Sequence, residues 1–336
     1  MTQEEAKIRA PDLVGGYWVN SEPLHVPELR GKAVLIDFWD YTCVNCIRTL
    51  PYVAEWHARY AGDGLVVVGV HAPEFSFAKE LDGVSRAIEA FGIEYPVVMD
   101  NGHSIWQAYA NRYWPAKYLI DKDGYIRYYH FGEGGYEQTE RAIQTLLREI
   151  EPSLVLPEPV APVRDSDMPG AVCYRVTPEL YLGYQRGQIG NPAGFVPKET
   201  HQYADPGMHA EGYFYLEGQW RADEEHVMKP HGSKAESRVS IRYTAKEVNL
   251  VMNPLLGRAC RADVLLDGNP ISPEDAGEDV RFEDSRSFVE VDTPRMFRLV
   301  NSPDIAQHEL TLAAETPGLA LYAYTFVSCV VPNRSR

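Results

Sequence analysis

The sequence predicts a mixed-sheet α/β domain followed by an all-β domain, and three observations carry this. The 336 residues exceed what one core usually holds, and a hydrophobic content of 45% supplies two. Residues 1–150 alternate strand-like and helix-like segments, whereas residues 171–336 show short alternating runs with almost no helical periodicity. Between them, Pro152, Pro157, Pro159, Pro162 and Pro169 make residues 151–170 an extended, stiff linker that no helix can cross.

In the first domain, Ala33 to Trp39 is apolar on both faces, the pattern of a buried central strand. Val44, Ile47, Leu50, Val53 and Trp56 then recur at helical spacing until Gly62 and Gly64 stop the pattern. Leu65 to Val70 returns to strand. Phe77, Leu81, Val84, Ile88 and Phe91 step by four and three along a second amphipathic helix, which Gly92 can cap. Pro96 to Met99 is a short strand, and Ser104 to Ala110 a small helix. Lys117 to Ile120 and Tyr125 to Phe131 flank Asp121-Lys-Asp-Gly124, whose Asp-Gly pair reads as a hairpin turn. Ile143, Leu146, Leu147 and Ile150 mark a closing helix. Parallel β-α-β units, an antiparallel hairpin and a last helix give a mixed sheet with helices on its faces, the element order of a thioredoxin-like domain.

Beyond the linker, Val239/Ile241/Tyr243, Val248/Leu250/Met252, Val264 to Leu266, Phe297/Leu299 and Leu319 to Phe326 read as strands, and Asp267-Gly268 as a turn. About eight strands at this spacing predict an antiparallel sandwich or jelly roll. Tyr181, Tyr184, Tyr203, Tyr213, Tyr215, Tyr243, Tyr322, Tyr324 and Trp220 suit its core and rims; any that are exposed could stack on sugar rings. Cys173 opens the first strand and Cys329 closes the last. These ends could be neighbours in a jelly roll and their thiols pair, but the expected state is buried and unpaired.

The formal charge of −16 is spread over both halves, which disfavours nucleic-acid and anionic-membrane partners. No apolar run approaches the roughly 18 residues of a spanning helix, so no membrane insertion is expected. Met1 to Lys7 lacks the basic start and apolar core of a signal peptide, which makes the cytoplasm the default compartment. Five cysteines are few for a secreted disulfide scaffold of this length, and only Cys43 and Cys46 stand close together.

That pair carries the chemistry. Cys43-Val-Asn-Cys46 sits where the first strand ends and its helix begins, so the unpaired amides and dipole at the helix start are expected to lower the Cys43 pKa. Cys43 is then the attacking nucleophile, and Cys46, one turn inward, resolves the mixed disulfide. A zinc site would need a second close pair of ligands, and Cys173, Cys260 and Cys329 stand apart. No metal or other cofactor is expected.

Asp37-Phe-Trp39, Cys43-Val-Asn-Cys46 and Pro51 resemble the active-site segment of the thioredoxin superfamily in letters and spacing. The resemblance implies that Asp37 is a buried carboxylate beneath the cysteines, able to take the proton of Cys46. It also implies that Pro51 kinks the helix, and that Trp114-Pro115 is a cis-proline element beside which substrate backbone docks. Asp40-Tyr-Thr-Cys43, Gly69-Val-His-Ala-Pro-Glu-Phe75 and Tyr113 to Asp121 are similar to the DipZ type of TlpA-like redoxin domains. Thr177 to Tyr184, His308 to Leu312 and Tyr322 to Phe326 resemble the C-terminal β-sandwich that accompanies that redoxin and looks like a carbohydrate-binding module. In that family the pair commonly hangs from a membrane electron-transfer domain, which implies an extracytoplasmic alternative. Thr42 replaces the usual aromatic before the first cysteine, and Val44-Asn45 the usual Gly-Pro, so the redox poise is not inherited.

The chain is therefore expected to be a thiol:disulfide oxidoreductase with protein thiol or disulfide substrates and a thiol electron donor or acceptor. One alternative is a glycan- or protein-binding module with the redoxin part as scaffold. A thiol peroxidase is a lesser one, because Thr42 abuts Cys43 and the proline and threonine of the peroxidase pattern are missing. His71 reads as a hydrogen-bonded loop histidine outside the catalytic set.

Overall fold

The computed structural model describes residues 8–233 and 236–330. Contacts divide the chain after Asp167 into two compact units, each built on its own core.

In the first unit, β1 (Ile8–Arg9) and β2 (Tyr17–Val19) are short edge strands. They are followed by β3 (Ala33–Trp39), α1 (Val44–Tyr60), β4 (Leu65–His71) and α2 (Leu81–Ala90). Next come β5 (Val97–Met99), α3 (Ser104–Ala108), β6 (Ala116–Ile120), β7 (Tyr125–Phe131) and α4 (Tyr136–Ile150). The sheet order is β1-β7-β6-β3-β4-β5-β2. β3, β4 and β5 run parallel, while β6, β7, β1 and β2 are each antiparallel to their neighbours. β3 lies at the centre and is buried at every position, as its two-faced apolar pattern requires.

The helices follow from their apolar spacing. α1 buries Val44, Leu50, Val53, Trp56 and Tyr60 and runs on through Pro51. Each such side chain contributes roughly 1.5–3 kcal/mol. A short 3-10 turn and Gly64, at φ 102°, then reverse the chain into β4. The second helix departs from expectation: Phe77 belongs to a separate 3-10 turn, Ser76–Lys79, because Glu80 is extended and breaks the run. Gly92 takes the left-handed conformation (φ 62°) that suits a cap. In the β6–β7 hairpin, Asp121 Oδ1 accepts from the amides of Asp123 and Tyr125, and Gly124 lies at φ 84°.

Residues 151–167 lie along α1 and α4. Gln144 donates to the Pro157 carbonyl, the Val160 amide to Glu140, and the Val163 amide to the Tyr52 hydroxyl. Glu140, almost wholly buried, also accepts from Trp56 Nε1 and the Tyr60 hydroxyl. Leu154, Leu156 and Val160 pack on the same core.

The second unit is all-β. Its strands are β8 (Val172–Cys173), β9 (Leu180–Tyr181), β10 (Thr200–Tyr203), β11 (Phe214–Ala222), β12 (Val227–Met228), β13 (Ser237–Pro254) and β14 (Cys260–Leu266). β15 (Asn269–Pro270), β16 (Val280–Glu283), β17 (Arg286–Val291), β18 (Arg295–Ala314), β19 (Leu319–Val327) and β20 (Cys329–Val330) complete it. The main path is β10-β11-β12-β19-β13-β18-β14-β17-β16. Runs expected as separate strands merge: Val239 to Met252 lies in the single strand β13. Register shifts at Ala245/Glu247 and Val248/Asn249 bend its ladder with β18 without breaking the strand. Asp267 and Gly268 both have positive φ and turn β14 into β15. Trp220, Tyr243 and Tyr324 are fully buried and Tyr203, Tyr215 and Tyr322 nearly so, whereas Tyr213 stays exposed.

Cys173 and Cys329 correct the sequence reading. They face each other across β8 and β20 and form a disulfide. The pairing weighed as the alternative therefore holds: strand register brings the two together over a separation of 156 residues, and Cys173 is exposed where burial was expected. Among the described residues, no helix is long and apolar enough to cross a membrane.

Candidate active site

β3 ends in a turn that Asp40 organises. Its buried carboxylate accepts from the amide and the hydroxyl of Thr42 and, at 2.7 Å, from the Glu74 amide beyond β4. The Cys43 amide donates back to the Asp40 carbonyl. Asp40 thus fixes the cysteine turn to the neighbouring loop. Cys43 is the N-cap of α1: its half-buried sulfur accepts from the Cys46 amide at 3.2 Å, one of the donors that a helix start leaves free. Cys46 is fully buried on the core side of that turn, and both thiols are free.

The electrostatics differ from expectation at Cys43. Burial pushes its pKa up, and the Asp40 and Glu74 carboxylates act in the same direction. Hydrogen bonds from the Cys46 thiol and amide oppose the rise without overcoming it. The helix start alone suggested a lowered value; the two neighbouring acids and the burial were not legible from it. Burial drives Cys46 well above the ordinary thiol range, and its contact with Cys43 adds to this.

Beneath them lies Asp37, fully buried on β3. Burial raises its pKa to about 7, against the opposing charge of Lys117. Lys117 is Asp37's register partner on β6 and is also fully buried. Among the described residues, neither the Asp37 oxygens nor Lys117 Nζ has a hydrogen-bond partner. Sequence reasoning missed Lys117. Its signal was a lone cation inside an otherwise apolar strand.

The Trp114–Pro115 peptide bond is cis. Trp114 Nε1 donates to the Ala72 carbonyl, and the Pro115 carbonyl accepts from the Gly132 amide. Trp114 and the partly buried Cys43 each pack against the core cluster that contains Cys46. His71, expected in a loop, instead ends β4 with no exposure. Its Nε2 lies 3.5 Å from Asp40 Oδ1, and its ring stacks on Tyr41. Among the described residues, no group of three or more His, Cys, Asp or Glu side chains is arranged to hold a metal.

A parallel β-α-β core, a hairpin and two cysteines spanning the first turn of α1 define a thioredoxin-like redoxin domain. The redoxin family model matches residues 6–147, and the model described as thioredoxin like C-terminal domain matches residues 177–326. The chain is 31% identical over 142 residues to the thiol-disulfide oxidoreductase YkuV of Bacillus subtilis, covering 42% of this chain and 95% of that protein. It is 37% identical over 272 residues to the protein DipZ of Mycobacterium tuberculosis, covering 80% of this chain and 38% of DipZ. It is also similar to a solved thioredoxin-like protein in the oxidised form, at 31% identity, TM-score 0.39, and 43% of this chain against 97% of that one. The chain belongs to the thioredoxin-like family of thiol-disulfide oxidoreductases, and it spans 38% of the length of the DipZ proteins that it matches.

Proposed function

We propose that this chain exchanges electrons with protein thiols and disulfides through Cys43 and Cys46, passing them to or from a thiol partner. The contact between the Cys46 amide and the Cys43 sulfur carries this reading: it puts the more accessible sulfur at the helix mouth with the second thiol one turn behind. In the reducing direction, the Cys43 thiolate attacks one sulfur of a substrate disulfide and expels the other as a thiolate. The Cys46 thiol then loses its proton to the Asp37 carboxylate and attacks Cys43. The second substrate thiolate leaves, and a Cys43–Cys46 disulfide remains. Two electrons have passed to the substrate. The oxidising direction is the reverse, and Trp114 and Pro115 line the cleft where substrate backbone docks.

Substitution tests this assignment. Cys43→Ser should abolish reduction of insulin disulfides by the chemically reduced protein, whereas Cys46→Ser should accumulate a stable mixed disulfide at Cys43. Full activity in Cys43→Ser would remove the couple from the reaction.

A further inference from the structure

We propose that the Cys173–Cys329 disulfide is a second thiol-exchange site of this chain, at which a reduced Cys43–Cys46 couple delivers its electrons through attack on Cys173. The inference rests on the reading of Cys43 and Cys46 given above.

The disulfide is placed where a protein thiolate can reach it. Cys173 is exposed and Cys329 half-buried, and Val172, Tyr174 and Arg175 around Cys173 are exposed as well. β8 and β20, with two residues each, form a sheet of their own apart from the eleven-stranded one. Among the described residues, neither cysteine belongs to the core of the second unit. A structural disulfide is protected by burial, whereas exposed disulfides are the ones that exchange and that hold the more oxidising potentials.

The fold also tolerates an open bond. Val176 packs on the core, and Thr177 is buried, donating to Glu211 and accepting from the Thr244 amide. At the other end Ser328 is buried, and its hydroxyl donates to the Tyr174 carbonyl. The chain is thus anchored close to each cysteine by contacts that do not involve sulfur. Reduction frees β8 from β20 and leaves the main sheet paired. Two folded redox states are what an exchange site requires.

The electrons balance. The Cys43 thiolate bonds to the Cys173 sulfur, and the Cys173–Cys329 bond breaks with its electron pair on Cys329. Cys46 then attacks Cys43, and Cys173 leaves as a thiolate. The protons given up by Cys43 and Cys46 are matched by those that Cys329 and Cys173 take up. A Cys43–Cys46 disulfide and two thiols in the second unit remain. The second unit is then a redox partner of the couple. The chemistry is the same whether the couple belongs to the same chain or to a second copy.

The test follows the full chain, oxidised at both pairs, after addition of a limiting amount of a small dithiol. Samples are quenched in acid, alkylated and mapped by peptide mass. Cys43 and Cys46 should become thiols first, and Cys173 and Cys329 should follow as the Cys43–Cys46 disulfide re-forms. This order needs no substitution. In Cys43→Ser/Cys46→Ser the thiols at Cys173 and Cys329 should appear about tenfold more slowly or less. In Cys46→Ser a peptide pair linked through Cys43 and Cys173 should accumulate. Equal rates with and without the couple, or a couple that opens while Cys173–Cys329 stays closed, would overturn the proposal. Failure of Cys43 and Cys46 to form a disulfide at all would instead overturn the reading beneath it. A transfer rate unchanged by dilution supports delivery within one chain, and a rate that falls with dilution supports delivery between copies.

Discussion

Asp37 and Lys117 are opposed across the two central antiparallel strands of the sheet, an acid and a base that are both fully buried. The arrangement joins the two halves of the chemistry. In the proposed reaction Cys43 ionises at the helix mouth, while the buried Cys46 gives its proton to a group already inside. Asp37, raised to about 7 by burial, is matched to that task near neutral pH.

A pH dependence follows from this value. Asp37 accepts a proton only when ionised, so the resolving rate should fall as pH drops through about 7 and level off above it. In Asp37→Asn that limb should vanish and the plateau rate should fall by about 10²-fold. Stopped-flow resolution of a preformed Cys43 mixed disulfide measures both.

The same pair governs stability in the opposite sense. A carboxyl whose folded pKa lies above its unfolded value favours folding less as pH rises from the unfolded toward the folded pKa, here up to about 7. Replacing both partners by apolar residues removes that cost. Asp37→Leu/Lys117→Met should be more stable than the unsubstituted chain at pH 8 by about 1–4 kcal/mol in urea titration, and slow in resolution. A less stable double variant would show that the pair contributes net stability.

How much of this was legible in the sequence depended on whether the signal was local. Cys43, Cys46, Asp37 and Pro115 stand at fixed spacings along the chain, and β3 and β7 follow from local patterning with the bounds the structure has. Lys117 becomes notable only once β6 is registered against β3, which no local pattern specifies. The carboxylates near Cys43 come from Asp40, close in sequence, and Glu74, from beyond β4. β1 and β2 are too short and exposed to leave a periodic signal. In the second unit, register shifts let β13 run on through two stretches read as separate strands, and the pairing of Cys173 with Cys329 depends on the first and last strands meeting.

That disulfide closes a long loop within the second unit, so its loss should destabilise this unit in particular. Cys173→Ser/Cys329→Ser should lower its stability by about 2–5 kcal/mol, read from denaturant unfolding of the full chain under oxidising conditions. Reductant should shift the unsubstituted chain by a similar amount and leave the double variant unmoved.

Glu140 anchors residues 151–167 to the first unit by accepting from Trp56, Tyr60 and the Val160 amide. Glu140→Ala leaves these donors without that acceptor inside the protein and should cost about 3 kcal/mol or more. It should also increase proteolysis between Pro157 and Arg164. Unchanged cleavage there would show that apolar packing of Leu154, Leu156 and Val160 suffices.

The most direct test of the central claim is a thiol count across buffers of defined reduced-to-oxidised dithiol ratio, by alkylation and peptide mass analysis. Cys43 and Cys46 should lose and regain their alkylation together, in one reversible two-electron transition, and Cys260 should not take part. A Cys43 that remains alkylatable at every ratio, with no Cys43–Cys46 disulfide formed, would contradict the account.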